Sequence, residues 1–476
     1  MNRPSHRDVP PPSGRTPRRL PVSPALPHIA GIGLAVPAHK YRQEKLVRFM
    51  ARAHGFDTGR ARALQRLYQR TQIMTRHSCL PDYGRESNAF EFFPRNERLV
   101  PAPTTGARME RFRLEAPELA RRACADLFQR PGMPEPREVD HLFAVTCTGF
   151  FAPGLDVALA DALGLRPDVG RTMISFQGCQ GGLTALRLAD AVCRARPGAT
   201  ALIVSVELCT LHFRTEASEE NLVANALFAD GSAAVLVTSQ PASGESVRLE
   251  LTDTATWLEP GSRREMVWTV GDAGFVLRLS DLVPGILAAG VPGLLGRVLD
   301  MGPGDLKRLP LWAVHPGGPA ILDGLERALG LDERASGRGA SDGLDGQSRE
   351  IKELDGGLDQ VEDAVGLDES TPLPGDDTRG TSNELAPSRN VLRRYGNVSS
   401  AAIFFVLREI LDDPSRCGPG LALAFGPGLT VEAARFHKTS AARDTRRTLE
   451  RARRTQPIRA AALDPGAQRS GGRRRS

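Results

Sequence analysis

An α/β fold is predicted for this chain by the alternation of strand-like and helix-like segments and by a weak internal repeat. Short apolar runs typical of buried strands alternate with segments of helical periodicity. The strand-like runs are HLFAVTCT (141–148), TMISFQG (172–178), ALIVSVEL (201–208), AAVLVTS (233–239), LWAVHPG (311–317), AAIFFVL (401–407) and LALAFG (421–426). The helical segments are LTALRLADAVCRA (183–195) and AILDGLERAL (320–329).

The repeat is visible at two places where a strand is followed by a glycine-rich turn and then by the start of a helix. In the first half the turn is Gly178-Cys179-Gln180-Gly181-Gly182, and in the second half it is His315-Pro316-Gly317-Gly318. The echo continues with FADGSAAVLV (228–237) and YGNVSSAAIFFV (395–406). Two copies of one βαβ-rich unit, each donating loops to a shared centre, would bring Cys179, His315 and Asn397 together.

The folded body is expected to span residues 27–436, with its two halves at 27–240 and 241–436. The first half carries the cysteine of the repeat, and the second carries the histidine and the asparagine. A Gly-, Asp- and Ser-rich stretch at 331–384 interrupts the second half, and its composition is typical of a solvated, disordered surface insertion. We expect it to contribute nothing to the core.

Both ends of the chain lie outside this body. Residues 1–26 are rich in Pro and Arg and are expected to form a disordered arm. Residues 437–476 form an Arg-rich tail with at most one short exposed helix, at 443–454. The formal net charge of +6 is concentrated in these end segments. It therefore does not indicate a nucleic-acid partner for the folded body.

The seven cysteines show no CxxC pair and no Cys/His ligand spacing. Neither a zinc site nor a disulfide framework is predicted, and a reducing cytoplasm fits best. No apolar run is long enough to span a bilayer, and the N-terminus lacks the apolar core of a signal peptide. A soluble, cytoplasmic protein is expected.

Cys179 is the strongest candidate for a nucleophile. It follows a β-rich segment, lies among glycines and begins a helix. Backbone N–H groups and the helix dipole would lower the pKa of a thiol in that position and favour the thiolate. The alternative is a small buried apolar residue, which is our interpretation of Cys124, Cys193 and Cys417.

His315 and Asn397 are the candidate partners of this thiol. His315 ends a buried strand and precedes Pro-Gly-Gly, and strand ends in α/β sheets are where ligands bind; its serious rival is His212, in CTLHF. Asn397 could be an ordinary turn or capping residue. Beside a histidine, however, its neutral amide could form an oxyanion hole without protonating a carbanion.

Three other patterns carry less weight. Gly31-Ile32-Gly33 lacks the third glycine of a dinucleotide fingerprint and is interpreted as a strand-end turn. Glu207 and Asp230 are interpreted as structural acids at strand ends rather than a hydrolytic pair. The basic helical stretch 60–70 is either a solvated face or a phosphate-binding entrance.

Taken together, these motifs resemble the type III polyketide synthases, the chalcone-synthase-like enzymes with a thiolase fold. The resemblance covers about residues 29–435 apart from the insertion. The matching pieces are GCQGG around Cys179, ALFADGSAAVLV around Phe228, VHPGGPAILD around His315, LAPSRNVLRRYGNVSSAAIFFVL around Asn397, and FGPGLTVE near the end of the body. The resemblance implies a thiolase-like duplicated αβαβα fold and a homodimer.

The resemblance also implies a decarboxylative Claisen condensation of malonyl-CoA onto an acyl-CoA starter. Cys179 would hold the starter and the growing chain as a thioester. His315 would keep Cys179 as a thiolate and, with Asn397, would stabilise the enolate that malonyl-CoA forms on losing CO2. Malonyl-CoA and acyl-CoA are then substrates, and no metal or redox cofactor is needed.

Further binding positions follow from the same resemblance. Phe228 matches the aromatic gate between the coenzyme A tunnel and the acyl cavity. Arg66 and Arg70 match basic positions at the tunnel mouth, where a guanidinium can bind phosphate bidentately. The residues expected at the acyl cavity are Cys147, Ala152, Cys209, His212, Trp268 and Leu277.

Among known branches, the bacterial alkylresorcinol and alkylpyrone synthases look closest, which implies a resorcinol or pyrone product. The supporting stretches are TCTGFFAPGLD (146–156), SVELCTLHFR (205–214) and EMVWTVGDAGFVLRL (265–279). Ala152 stands where plant members carry a bulkier gatekeeper, which leaves room for a long acyl group. Trp268 acts in the opposite direction by placing a large ring where some members have a small residue.

The chain departs from the family pattern at two places, and two other functions compete. The spacing between His315 and Asn397 is unusually long, which the insertion at 331–384 explains, and Gln180 stands where small or apolar residues are common. An initiating ketoacyl-acyl-carrier-protein synthase would share the Cys, His and Asn, although HPGG and GPGLTVE favour the polyketide synthase. An RNA- or membrane-binding protein acting through its Arg-rich tail is the other alternative.

Overall fold

The computed structural model describes residues 26–240, 247–331 and 384–439. Its strands are β1 (His28–Ala35), β2 (His39–Arg42), β3 (Thr75–Ser78), β4 (His141–Thr146), β5 (Gly170–Ser175), β6 (Thr200–Leu208), β7 (Asp230–Thr238), β8 (Leu249–Leu258), β9 (Met266–Gly271), β10 (Gly274–Leu279), β11 (Leu311–Val314), β12 (Gly418–Gly426) and β13 (Thr430–Lys438). Its α-helices are α1 (Gln43–His54), α2 (Thr58–Arg70), α3 (Thr105–Phe128), α4 (Leu155–Leu163), α5 (Gly181–Ala195), α6 (Glu219–Leu227), α7 (Val283–Leu299), α8 (Pro303–Leu306), α9 (Pro319–Ala328), α10 (Ala386–Tyr395) and α11 (Ala402–Asp412).

Nine of the strands form one mixed sheet in the order β11-β12-β13-β8-β1-β7-β6-β4-β5. On one side of its centre, β4 and β6 are parallel and β7 and β1 continue antiparallel. On the other side, β11 and β12 are parallel and β13 and β8 continue antiparallel. The two sides meet where β1 pairs with β8. The predicted α/β architecture with an internal repeat is therefore present, and its two halves share one sheet.

Helices cover this sheet in layers, because alternate residues of each strand point to opposite faces. Leu311 and Ala313 of β11 join a core that contains α5, α11 and strands of both halves. Trp312 and Val314 of the same strand join a second core with α7 and α9. A third core packs α3 and α4 against the outer face of the first-half strands. The shared central helices α5 and α11 thus hold the halves together.

Two sequence-based interpretations of secondary structure are wrong, and Cys417, interpreted as a buried residue, is exposed. The run AAIFFVL is not a strand, since Ala402–Asp412 form the helix α11. Every residue from 401 to 407 is buried, and a short run that is apolar on all sides does not distinguish a strand from a buried helix. The sequence similarity between FADGSAAVLV and YGNVSSAAIFFV therefore does not reflect equivalent structure. The strand of the second half that corresponds to β7 is β13.

Gly31-Ile32-Gly33 is the second correction, because these residues lie inside β1 rather than at a turn. A Cβ atom at Gly33 would lie 2.2 Å from the Ala123 carbonyl oxygen of α3. The glycine therefore permits close packing of helix α3 on the strand.

Several expectations concern parts of the chain that lie almost wholly outside the described residues. They are the disordered arm at 1–26, the insertion at 331–384 and the tail at 437–476, including its helix at 443–454. The last strand β13 continues past the expected end of the body at 436, to Lys438. Within the described ranges, no helix combines the length and the apolar character needed to cross a bilayer.

Candidate active site

Cys179 lies in a tight turn between β5 and α5. Gly178 has φ +64°, and a Cβ atom there would lie 2.3 Å from Cδ of Pro427. Gly182 is in the first turn of α5, where a Cβ atom would lie 2.4 Å from the Ser400 carbonyl oxygen. The glycines of GCQGG therefore bring the turn of Cys179 into contact with segments of the second half, and helix α5 begins two residues after Cys179, at Gly181.

His315 follows β11 directly. Its peptide N–H donates to the Leu423 carbonyl at 2.8 Å, which continues the pairing of β11 with β12. Pro319 then begins α9 after the glycines Gly317 and Gly318. The imidazole is 2% exposed, and neither ring nitrogen has a hydrogen-bond partner within the described residues. Both nitrogens are thus available to a reacting group.

Asn397 follows α10 and Gly396, and it connects the nucleophile to the histidine loop. Its Oδ1 accepts from the Ser399 peptide N–H at 2.9 Å, and its Nδ2 donates to the Gly317 carbonyl at 3.4 Å. The Cys179 Sγ lies 4.0 Å from Asn397 Oδ1 and 3.8 Å from Ser399 Oγ. Gly317 belongs to the loop that follows His315, so Asn397 contacts both Cys179 and that loop.

These residues line one cavity of about 110 Å³. Six of the residues predicted to bind substrate line it too, namely Cys147, Cys209, His212, Phe228, Trp268 and Leu277. A second cavity, of about 600 Å³, shares Leu227, Leu279, Gly317 and Ile321 with the first. Its rim includes the exposed residues Asp281 and Leu282. The reacting centre therefore adjoins a larger chamber that reaches the surface.

Three residues predicted to bind substrate line neither cavity. Ala152 is exposed on this chain, in the loop between β4 and α4. Arg66 and Arg70 lie on the exposed face of α2. Their neighbours Leu67 and Thr71 do line the second cavity, so the two arginines flank it.

Burial opposes ionisation of both groups that would exchange a proton. It raises the pKa of Cys179 to about 12, against which the hydrogen bonds with Ser399 and Asn397 act. It lowers the pKa of His315 to about 3. Each group on its own is therefore neutral, and desolvation outweighs the effect of the helix start from which a thiolate was expected. Proton transfer from Cys179 to His315 would create two opposite charges without changing the net charge of the site.

His212 has a structural role in the cavity wall. Its Nδ1 accepts from the Phe275 peptide N–H at 3.1 Å, and Nε2 lies 2.7 Å from the Thr148 carbonyl, to which it donates. The ring stacks on Phe275 at 4.1 Å between centroids. Because both nitrogens are engaged, this histidine anchors β10 and does not compete with His315 for the proton of Cys179.

Trp268 is held in the same wall. Its Nε1 donates to the Cys147 carbonyl at 2.8 Å, and its ring meets Phe275 edge-on, with 5.9 Å between centroids and 87° between planes. A tryptophan fixed in this way narrows the cavity beside Cys147.

Sequence reasoning missed one contributor to the site. Ser399 contacts the nucleophile, and its signal was its place directly after Asn397 in GNVSS. Glu207 is buried and accepts from the Cys147 peptide N–H at 3.0 Å and from Thr148 Oγ1 at 2.7 Å, contacts that agree with its interpretation as a structural acid. Burial raises the pKa of Glu207. Its position is fixed by contacts between distant segments, which no local pattern reveals.

Comparison with known families gives matches in both halves of the chain. The family described as chalcone and stilbene synthases, N-terminal domain, matches residues 19–241. The corresponding C-terminal domain family matches residues 250–338 and 377–439. The two matches together cover most of the sequence.

One curated relative is "Probable polyketide synthase 1" of Dictyostelium discoideum. It is 26% identical to this chain over 413 residues, which are 85% of this chain. The aligned part is 11% of that relative, so this chain spans only about a ninth of the relative's length.

Two solved structures are similar over nearly their whole length. The C-terminal type III polyketide synthase domain of Steely1, a type I/III hybrid from Dictyostelium, has a TM-score of 0.70 and 25% identity, and the match covers 87% of this chain and 99% of that one. PKS-I from the brown alga Ectocarpus siliculosus has a TM-score of 0.70 and 24% identity, with 88% and 99% covered.

Proposed function

This chain belongs to the chalcone and stilbene synthase family of acyltransferases, whose thiolase-like fold it has, and we propose that it acts as a type III polyketide synthase. In this proposal it extends an acyl-CoA starter with malonyl-CoA while the chain is held on Cys179. The observation that carries the proposal is the convergence of Cys179, His315 and Asn397 on one cavity.

The first step is transfer of the starter to Cys179. His315 accepts the thiol proton, and the thiolate attacks the carbonyl carbon of the starter thioester. Coenzyme A leaves as a thiolate and takes the proton from His315. The acyl group is then bound to Cys179, and the imidazole is neutral again, which suits its low pKa.

The second step forms the carbon–carbon bond. Malonyl-CoA loses CO2, and the electron pair of the broken bond passes into an enolate whose oxygen accepts from Asn397 Nδ2–H and from an N–H of neutral His315. The enolate carbon attacks the Cys179 thioester and expels the cysteine thiolate, leaving the extended chain on coenzyme A. Neutral donors stabilise the enolate without protonating it. Loss of CO2 drives the step, so we propose no metal or redox cofactor.

An apolar starter is favoured by the cavity beyond the nucleophile. Its wall also includes Leu46, Met50, Tyr83 and Phe213, and all of these side chains are buried. We propose that these apolar side chains receive the alkyl part of the starter and that the product is a resorcinol or pyrone of the alkylresorcinol or alkylpyrone type.

Coenzyme A would reach the site through the second cavity. Its thioester end would pass the shared residues Leu227 and Gly317, while Arg66 and Arg70 on the flanking helix α2 would face its phosphates. A homodimer and a cytoplasmic location are further parts of the proposal and rest on family resemblance.

The test is an assay of the full chain with malonyl-CoA and a series of acyl-CoA starters, without any carrier protein, followed by mass spectrometry. We expect extended products from wild type and none from Cys179→Ala, with the exposed Cys417→Ala as the matched control. A single condensation that strictly requires acyl carrier protein would instead indicate the initiating ketoacyl synthase. Loss of RNA or membrane binding on removal of residues 439–476, with condensation retained, would make the tail an accessory.

A further inference from the structure

A group of buried side chains surrounds the C-terminal end of α6, the helix that leads to Phe228. Arg76 Nη1 donates to the Asn225 carbonyl at 2.8 Å and to the Phe228 carbonyl at 2.7 Å. Gln43 Nε2 donates to the Ala226 carbonyl at 2.9 Å. The last carbonyls of a helix have no partner within it, and here side chains from α1 and β3 supply the donors.

Arg76 is the central member of this group. It is 4% exposed, although it carries a guanidinium. Its Nε donates to Gln43 Oε1 at 2.9 Å, and its charge lies 5.7 Å from the centre of the Tyr68 ring. Tyr68 Oη also donates to the Asn225 carbonyl, at 3.1 Å. A buried cation at a helix C-terminus is favoured by the helix dipole, so the arginine is fixed in one orientation.

The same helix end is joined directly to Asn397. Phe228 and Asn397 form a parallel bridge. The Asn397 peptide N–H donates to the Leu227 carbonyl at 2.9 Å, and the Ala229 N–H donates to the Asn397 carbonyl at 2.9 Å. Any shift of the residues around Phe228 would therefore move the backbone of the proposed enolate donor.

Arg76 also touches the segment before Asn397 through its aliphatic stem. Gly396 has φ +72°, and a Cβ atom there would lie 2.9 Å from Arg76 Cγ and 2.9 Å from the Leu227 carbonyl oxygen. One side chain thus holds the carbonyl of one bridge partner, Phe228, with its guanidinium and lies against Gly396, the residue before the other partner, with its aliphatic stem.

We propose that Arg76, assisted by Gln43, is a positioning residue that sets the Phe228 ring and the Asn397 amide relative to Cys179. The inference rests on the proposed function. Its consequence is a coupling of two steps, since the enolate must form beside Asn397 and be captured at Cys179 before water protonates it. A displaced Phe228 would admit water, and a displaced Asn397 would stabilise the enolate in a poor position for attack.

The test compares Arg76→Met, Arg76→Lys and Gln43→Met with Lys438→Met as a matched control. Lys438 is also a buried cation at a helix end, 2% exposed, with Nζ donating to the Ile410 carbonyl of α11 at 2.6 Å, but it lines neither cavity. Release of labelled CO2 and formation of extended product from malonyl-CoA are measured together, with unfolding in urea as the measure of stability.

We expect Arg76→Met to lower the rate of condensation by roughly 10- to 100-fold, which is the size of effect that a misplacement of about 1 Å produces. The amount of CO2 released per condensation should rise. Arg76→Lys should lie between Arg76→Met and wild type, because an ammonium can reach one carbonyl but cannot also bridge to Gln43. Lys438→Met should lose stability and keep the wild-type ratio of CO2 to product.

An Arg76→Met protein that folds and keeps the wild-type ratio overturns the positioning role, as does a Lys438→Met protein in which the ratio rises equally. If Arg76→Met does not fold, the ratio of CO2 released to product formed is measured in Arg76→Lys and Gln43→Met instead, and the same criterion is applied to it. A wild-type chain that neither releases CO2 nor forms product overturns the proposed function and the inference that rests on it. An active wild type with unchanged variants overturns the inference alone.

Discussion

The Ser399 peptide N–H donates a hydrogen bond to Asn397 Oδ1 at 2.9 Å. This contact fixes the orientation of the side-chain amide, because Oδ1 accepts the hydrogen bond and the N–H groups of Nδ2 must then lie on the other side. Nδ2 faces the Gly317 carbonyl at 3.4 Å, a long bond that an enolate oxygen could replace. The orientation of this amide thus makes Nδ2 the group that would donate a hydrogen bond to the enolate in the proposed condensation.

Asn397→Asp should abolish this donor while keeping the acceptor that Ser399 uses. It also puts a negative charge about where Oδ1 lies, 4.0 Å from the Cys179 sulfur. We expect CO2 release from malonyl-CoA to fall by roughly 10²- to 10³-fold, the usual cost of losing one oxyanion donor. Labelled malonyl-CoA measures the rate, and Asn96→Asp in an exposed loop is the control. Decarboxylation at the wild-type rate would contradict the role of Asn397.

Alkylation of Cys179 by iodoacetamide should depend on pH and on His315. Since burial raises the pKa of this thiol to about 12, we expect the rate to keep increasing above pH 9 rather than to level off near the pKa of about 8.5 of an ordinary cysteine. His315→Ala removes the proton acceptor and should slow alkylation at pH 7 by roughly 10²-fold. Mass spectrometry of the Cys179 peptide measures the rate. An alkylation rate that levels off near pH 8.5 would contradict the raised pKa of Cys179. An unchanged rate in His315→Ala would contradict the role of His315 as proton acceptor.

His212 should make the protein less stable in mild acid. Burial lowers its pKa to about 3 in the folded state, whereas an unfolded histidine has a pKa of about 6.5. Its contribution to stability is therefore complete above pH 6.5 and is lost as the pH falls from 6.5 towards 3, because the unfolded chain takes up a proton that the folded chain cannot. By pH 5 the loss is about 2 kcal/mol.

Urea unfolding at pH 7 and pH 5 tests this linkage. His212→Gln should reduce the pH dependence of the free energy of unfolding over this range, and the exposed His39→Gln should leave it as in wild type. The same pH dependence in His212→Gln and wild type would show that His212 does not contribute.

Trp268→Ala should widen the acyl cavity and shift product formation towards longer starters. The Trp268 ring narrows the cavity beside Cys147, because Trp268 Nε1 donates a hydrogen bond to the Cys147 carbonyl at 2.8 Å. The control is Trp257→Ala, because Trp257 Nε1 binds Glu259 at 3.0 Å and its ring lines neither cavity. Product profiles from starters of increasing length, read by mass spectrometry, give the answer. An unchanged preference would mean that another part of the wall limits chain length.

The sequence predicted those parts of the site that local patterns determine. Cys179 and His315 each follow a strand and lie beside glycines, and at Gly178 and Gly182 a side chain would clash with the second half. Asn397 gained its assignment from resemblance, since an asparagine in a turn has many ordinary explanations.

The errors have a common physical cause, which is contact between segments distant in the chain. AAIFFVL is buried on all sides between the halves, and an apolar run of this kind fits a strand and a buried helix equally well. The sequence around Arg76 contains no signal for its role, because the carbonyl groups that it binds are about 150 residues away in the chain. Periodicity describes a segment's own faces and says nothing of such partners.

The contact between Gly182 and Ser400, where even a methyl group would meet backbone at 2.4 Å, has a consequence for how substrates arrive. Enzymes that close by hinge motion need a seam between their halves that can open. Here helix α5, which begins just after Cys179, packs closely on the segment that carries Asn397, so the two halves cannot approach further at this contact without a clash. We therefore expect a rigid reaction chamber, which the flexible pantetheine arm of coenzyme A enters by threading through a passage in the wall.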